Sequence, residues 1–373
     1  MKELDINTRA FFALVRAGLW EKDVQLLPYS SIDYNVLYTI AKDQSVVGLV
    51  AAGLEHVTDK KVLKHDVVQF IGQTFQIEKR NQEMNTFIAE TVENMRKEGI
   101  DLMLVKGQGI AQCYERPLWR ASGDVDFVFD NENYEKAKKY LLDLASEVHN
   151  EYTYFKHLGL SIGLWTVELH GTLRSRLSRL MDKSLDRLLI DTITNRDVRI
   201  WNCNGIVVFL PAPDNDVIFV FTHILQHFYL EGIGLRQICD WCRLLWKYRD
   251  EISVTVLQLR LREMRIETEW KAFSAYAVEY LGMSSDAVPL YSSNNKWKRK
   301  AKKINAFVLE SGNFGHNKKV SISNSDSYVV RKILAFVRSL RNVLYHFDLF
   351  PLGAIRTCGG VINSGLHSLI HGE

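Results

Sequence analysis

Apolar and polar positions follow three successive patterns along the chain. Over residues 1–98 the apolar positions recur at helical spacing: Phe11, Phe12, Leu14, Val15 and Leu19 fall near one stripe, Tyr34 to Leu54 reads as a second helix, and Val62 to Lys97 reads as one long helix. Asp5 or Asn7 is placed to cap the first, and Pro28, Ser30 and Ser31 separate it from the next. Over residues 99–212 the apolar runs shorten to strand length around one clear helix, Glu132 to Ala145. From residue 213 the helical period returns. Asn215 to Leu230 and Leu235 to Tyr248 are joined by Gly232 and Gly234, weaker helices lie between Val254 and Leu281, Ser284 to Lys303 reads as a loop turning basic, and Asp326 to Phe347 as a further helix. This order predicts an α+β chain: a small mixed β-sheet core at 99–212, flanked by an N-terminal helical region, 1–98, and a C-terminal helical domain, 213–373.

Within the middle region the alternation assigns faces. Asp101 to Lys106 reads as a strand that runs into Gly107-Gln108-Gly109 and then a helical run, Ile110 to Tyr114, which gathers backbone N–H groups where an anion can bind. Lys106 precedes the turn, so this is not a P-loop. Asp124 and Asp126 share one face of the next strand, with Val125, Phe127 and Phe129 on the other, and Asp130 is placed to cap the following helix. In Ile162 to His170, Val167 and Leu169 face inward, so Glu168 and His170 share the polar side. Two carboxylates one strand repeat apart repel each other until a cation sits between them, and a third acid from another strand completes a two-cation phosphoryl-transfer site. Spacing alone leaves open whether these strands are neighbours. Tyr152–Lys156 and Leu164–Leu169 read as hairpin partners, Leu173 to Leu189 as an amphipathic helix exposing Arg174, Arg176 and Arg179, and Ile206 to Phe209 as a short strand ended by Pro211 and Pro213.

Composition narrows the class further. A chain of 373 residues with 47% hydrophobic and 24% charged side chains is an ordinary globular protein, long enough for two or three packing units. A net charge of +3 gives no reason to favour nucleic acid as the partner. No apolar run reaches the roughly 18 residues of a spanning helix, the N-terminus lacks signal-peptide order, and five cysteines without a regular framework indicate reduced thiols, so a cytoplasmic protein without a membrane span is expected. His223 and His227 lie one helical turn apart, but Ile224 stands where a zinc peptidase needs Glu, so buried helix contacts are expected. Cys239 and Cys242 lack the second pair of a zinc knuckle. Arg236 and Asp240 are spaced to pair across a turn. Six basic side chains between Lys296 and Lys303 read as a solvated loop that could hold an anionic acceptor.

Four segments carry a family resemblance: Leu104-Val105-Lys106-Gly107, then Arg120-Ala121-Ser122-Gly123-Asp124-Val125-Asp126-Phe127-Val128, then Val167-Glu168-Leu169-His170, and His223 followed by Leu235-Arg236-Gln237-Ile238-Cys239-Asp240. Together they resemble the nucleotidyltransferase superfamily of DNA polymerase beta type, and within it the bacterial uncharacterised nucleotidyltransferase family. The resemblance covers roughly residues 60 to 280. It implies an NTP substrate with two Mg2+ ions per site, catalytic and metal-binding roles for Asp124, Asp126 and Glu168, nucleotide-binding roles for Lys106, Gly107, Gln108, Arg120 and Gly123, and support from His170, Arg236 and Asp240. Lys106-Gly107-Gln108 departs from the superfamily's Gly-Gly or Gly-Ser, in a form the closer family shares. The implied reaction moves a nucleoside monophosphate to an acceptor hydroxyl on a small molecule, sugar or protein, with pyrophosphate leaving. A metal-dependent phosphohydrolase and a non-catalytic nucleotide-binding scaffold are the alternatives.

Overall fold

A computed structural model describes residues 4–152, 155–312, 337 and 340–371. The N-terminal helices are α1 (Ile6–Trp20), α2 (Tyr34–Asp43), α3 (Val47–Glu55) and α4 (Lys64–Lys97). Asp5 caps α1, its carboxylate accepting from the Thr8 amide at 3.1 Å. The helix expected over Tyr34 to Leu54 is broken between α2 and α3, where Ser45 takes φ +55°. The break has a packing reason. Gln44 is buried there and its side chain accepts from the Leu235 amide at 2.8 Å and donates to the Val308 carbonyl at 3.0 Å, tying this corner to the C-terminal helices.

Next come β1 (Met103–Val105), α5 (Gly107–Ala111), β2 (Asp124–Val128), α6 (Asn131–Leu142), β3 (Glu147–Tyr152), β4 (His157–Ile162), β5 (Trp165–His170), α7 (Arg179–Thr194), β6 (Val198–Cys203) and β7 (Ile206–Pro211). Asp130 caps α6 by accepting from the Asn133 amide at 2.7 Å. The main sheet has the order β1-β2-β5-β4-β3, with β2 and β5 parallel and the other pairs antiparallel, while β6 and β7 form a separate hairpin. The C-terminal helices are α8 (Pro213–Leu230), α9 (Leu235–Lys247), α10 (Val254–Glu263), α11 (Glu267–Glu279), α12 (Asn295–Ser311) and α13 (Pro351–His371). The α+β class with a mixed sheet and flanking helices is therefore the one observed.

Four local expectations change. The hairpin partner of β5 is β4, turned at Gly163 with φ +58°, while Tyr152 ends β3 and Lys156 precedes β4. Leu173 to Ser178 is a loop, since Ser178 caps α7 by accepting from the Met181 amide, so Arg174 and Arg176 are loop residues. Ile206 to Phe209 belongs to a hairpin whose first strand, β6, is joined to it by Asn204 and Gly205 at φ +50° and +87°. The basic run from Lys296 to Lys303 lies on α12, capped by Asn294, and is not a loop. The helix expected over Asp326 to Phe347 falls outside the described residues except at 337 and 340–347, of which 337 and 340–345 are helical.

Two cores hold the sheet. On one side Met84, Ile88 and Val92 of α4 and Tyr134 and Leu141 of α6 pack on Val125, Phe127, Val167 and Leu169. The larger core joins Phe11 and Leu14 of α1 to Phe228 of α8, Trp241 of α9, Trp270 of α11 and Phe307 of α12, and reaches Val105 and Val128 on the sheet. No helix among the described residues is long and apolar enough to cross a membrane.

Candidate active site

The parallel pairing of β2 with β5 aligns Asp126 with Glu168 and Asp124 with Thr166. The partners of these acids on the other face, Val125, Phe127, Val167 and Leu169, are each no more than 1% exposed. A slip of one residue in β2 or β5 would swing the carboxylates into that core and lose about 1.5–3 kcal/mol for each large apolar side chain turned out, so packing fixes the register of the acids. Ligand oxygens of Asp124, Asp126 and Glu168 lie within 4.8 Å of one another, a span that one or more hard cations can bridge. A second group, His157, Glu168 and His170, meets the same limit and shares Glu168 with the first.

These acids are compensated unequally. Asp126 is 2% exposed, and its Oδ1 accepts from Lys106 Nζ and from His170 Nε2, both at 2.8 Å. Glu168 Oε2 lies 3.2 Å from His157 Nε2 and 3.4 Å from His170 Nε2. Burial opposes charge on Asp126, yet Lys106 and His170 hold its pKa below the usual range. Burial likewise opposes charge on Glu168, and hydrogen bonds from His157 and His170 hold it far down. Asp124 is pushed up, first by the Asp126 carboxylate and then by burial and Glu168. Burial would lower both Lys106 and His170, but the facing carboxylates raise each of them. The strands thus concentrate negative charge against which one ammonium and two imidazoles are set, a donor set that fits a divalent cation.

Lys106 reaches Asp126 from a strained backbone at φ +56°, and Gly107 follows at φ +39°, where a Cβ would sit 3.4 Å from the Asp124 carbonyl oxygen. The helix begins at Gly107, earlier than expected, so both glycines lie inside α5. Gln108 is brought elsewhere: it is buried, donating to Asn85 Oδ1 at 2.9 Å and accepting from Ser122 Oγ at 3.0 Å. Gly123 is exposed at the mouth of β2. Arg120 lines the cleft but holds Asp240 in a bidentate pair, Nε to Oδ1 at 2.9 Å and Nη2 to Oδ2 at 2.7 Å, and the Tyr114 hydroxyl donates to the same carboxylate at 2.8 Å. Asp240 thus has a partner from outside its own helix in Arg120. Arg236 also lines the cleft and donates to the Ala121 carbonyl at 2.9 Å.

The cleft above the acids has a volume of about 420 Å³. Several of its walls carry no motif signal in the sequence. His157 comes from β4, the strand that Gly159 disguised between Leu158 and Leu160. Tyr152, Phe155 and Arg176 line its far end. His223, expected as a helix contact, also faces the cleft, with its Nε2 3.0 Å from His227 Nε2. Burial and then the Lys106 ammonium push the His223 pKa well down.

The model of the family described as "Uncharacterised nucleotidyltransferase" matches residues 30–282, more than half of the chain. The chain belongs to this family. No curated protein and no solved structure matches it. In this nucleotidyltransferase family member the matched span takes in the whole main sheet, both candidate metal-binding groups, and α8 and α9, which roof the cleft. It leaves out α1, α12 and α13.

Proposed function

We propose that the protein is a magnesium-dependent nucleotidyltransferase of the DNA polymerase beta-type superfamily, moving a nucleoside monophosphate from an NTP to an acceptor hydroxyl. The observation that carries this reading is the convergence of Asp124, Asp126 and Glu168 from two parallel neighbouring strands, with ligand atoms within 4.8 Å, on the floor of a cleft that also holds Lys106 and Arg236. Asp124 and Asp126 would hold two cations, and Glu168 would complete the shell nearer the acceptor. Bound magnesium supplies Lewis acidity at the α-phosphate and at the attacking oxygen. Lys106 and Arg236 carry the positive charge that faces the triphosphate. Glu168, with His157 and His170 against it, receives the acceptor proton. The Arg120–Asp240 pair braces α9 against the loop before β2 and so sets where Arg236 stands. Five free cysteines support a reducing, cytoplasmic setting.

Incubation with each labelled NTP, magnesium and a panel of hydroxyl acceptors, including the protein itself, tests this. Asp126→Asn and Glu168→Gln are expected to lower transfer by about 10³-fold or more while the fold persists. Transfer that survives both substitutions would sink the reading, and metal-dependent release of nucleoside monophosphate without acceptor labelling would replace it with a phosphohydrolase.

A further inference from the structure

The sheet order β1-β2-β5-β4-β3 puts the end of β1, with Lys106, on one side of the three acids and the β3–β4 end, with Tyr152 and Phe155, on the other. If the triphosphate lies toward Lys106, whatever attacks it approaches from the far side. There the cleft is lined by Arg176, whose guanidinium stacks 4.4 Å from the Phe155 ring centroid and 4.9 Å from that of Tyr152. Among the described residues Arg176 forms no ion pair. The carboxylates that line this end or brace its loop are engaged: Glu231 pairs with His227 at 2.9 Å, Asp186 with Arg174 at 2.9 Å, and Asp182 accepts from the Ser175 and Arg176 amides at 2.8 and 3.2 Å. Burial lowers the Arg176 pKa by more than Tyr152 and the already engaged carboxylates of Glu231 and Asp182 raise it.

The position is also built with strain. Arg176 takes φ +63°, a conformation that disfavours a side chain and persists only where its surroundings impose it. Asp182 fixes the loop from below. α13 presses on it from above, where a Cβ at Gly360 would come within 2.5 Å of the Arg176 carbonyl oxygen and 2.7 Å of that of Leu177. Two aromatic rings hold the guanidinium plane and leave its N–H edges to a planar or tetrahedral oxyanion.

We infer that Arg176, framed by Tyr152 and Phe155, is the subsite that binds an oxyanion of the acceptor, so that the acceptor is a hydroxyl compound bearing a phosphomonoester or a carboxylate. This rests on the nucleotidyl-transfer reading above. With the oxyanion held at Arg176, the acceptor hydroxyl oxygen bonds to the α-phosphorus as the bond from that phosphorus to the bridging oxygen breaks. Pyrophosphate leaves with the electron pair and the hydroxyl proton passes to Glu168.

Calorimetric titration of the full chain with phenyl phosphate, alone and after saturation with magnesium and a nonhydrolysable ATP analogue, tests this assignment. The wild type is expected to bind phenyl phosphate in both conditions. Arg176→Gln should weaken that binding by about tenfold to a hundredfold, the loss expected for one charge-assisted contact, and Arg176→Lys should fall between. Arg176→Gly relieves the left-handed backbone, so it should bind as poorly as Arg176→Gln while melting at or above the wild-type temperature. Affinity for the ATP analogue should not change in any of these variants. Benzoate serves as the second arm: the tighter of the two probes identifies the anion, and binding of neither overturns the subsite. Displacement of phenyl phosphate by the analogue, or a parallel loss of analogue binding in Arg176→Gln, also overturns it and gives Arg176 to the triphosphate. Asp126→Asn keeps the two readings apart, since it should abolish transfer yet retain phenyl phosphate binding.

Discussion

Asp240 has its partner chosen from outside its own helix. Four residues from Arg236 on α9, it is spaced for an intrahelical pair worth about 0.2–0.5 kcal/mol at a surface. Instead it is 6% exposed and holds Arg120, which is equally buried, through two parallel hydrogen bonds at 2.9 and 2.7 Å. Asp240→Asn would leave the Arg120 guanidinium buried against a neutral amide. It should lower stability by about 3–5 kcal/mol, read as a fall in the urea midpoint, whereas an exposed surface pair would move it little. The three acids behave differently, because their assignment needed only the period of a strand. Alternation of Val125, Phe127, Val167 and Leu169 put Asp124, Asp126 and Glu168 on polar faces before any neighbour was known.

Among the elements, those that fold by a local rule were legible and those that depend on a partner were not. The 34 residues of α4 repeat apolar positions over nine turns, and Asp5 and Asp130 cap their helices where the sequence places them. β4 was hidden because Gly159, opposite Glu168, leaves its polar face without a side chain between Leu158 and Leu160, and β6 because Arg199 and Asn202 dilute its alternation, although Asn204-Gly205 is a hairpin signal in its own right. The basic run on α12 looked like a loop because its charges seemed unanswered. Lys298 in fact pairs with Glu279 of α11 at 2.8 Å, and Lys303 with Asp348. Glycines let α1 and α3 approach backbone to backbone. A Cβ at Gly53 would lie 2.1 Å from the Leu14 carbonyl oxygen, and one at Gly18 1.9 Å from that of Leu49. Gly53→Ala must push two backbones apart and should cost about 3 kcal/mol or more by chemical denaturation, whereas the same change at exposed Gly72 in α4, with open space around it, should be neutral or stabilising.

At the scale of the whole molecule, α1 lies outside the family match and yet is built into the core beneath the cleft's roof. The Trp20 indole N–H donates to the Leu281 carbonyl at 2.6 Å. Arg243 of α9, 2% exposed, donates to the Leu19 carbonyl at 2.9 Å and the Cys113 carbonyl at 2.8 Å. Removing residues 1–22 would therefore uncover Trp246 and Tyr280, whose rings pack on Trp20 and Phe12, and leave Arg243 short of a partner. The truncated chain is expected to be cleaved by limited proteolysis within α8 to α11 under conditions where the full chain is intact. Retention of a protected C-terminal half would show instead that α1 is an appendage.

By itself the sequence determined which face of β2 and β5 carries acid, where α1 and α6 start, and that the chain is α+β, because strand and helix periods and caps act over a few residues. Tertiary structure alone decided that β5 lies parallel to β2, so that Glu168 stands across from Asp126. It also decided that His157 arrives on β4 at the far side of β5, that Arg120 reaches Asp240, and that Arg176 is held among aromatic rings at the far end of the cleft. Strand order and side-chain pairing depend on which distant apolar faces bury one another, and that choice is made by the two cores as wholes and by no single segment.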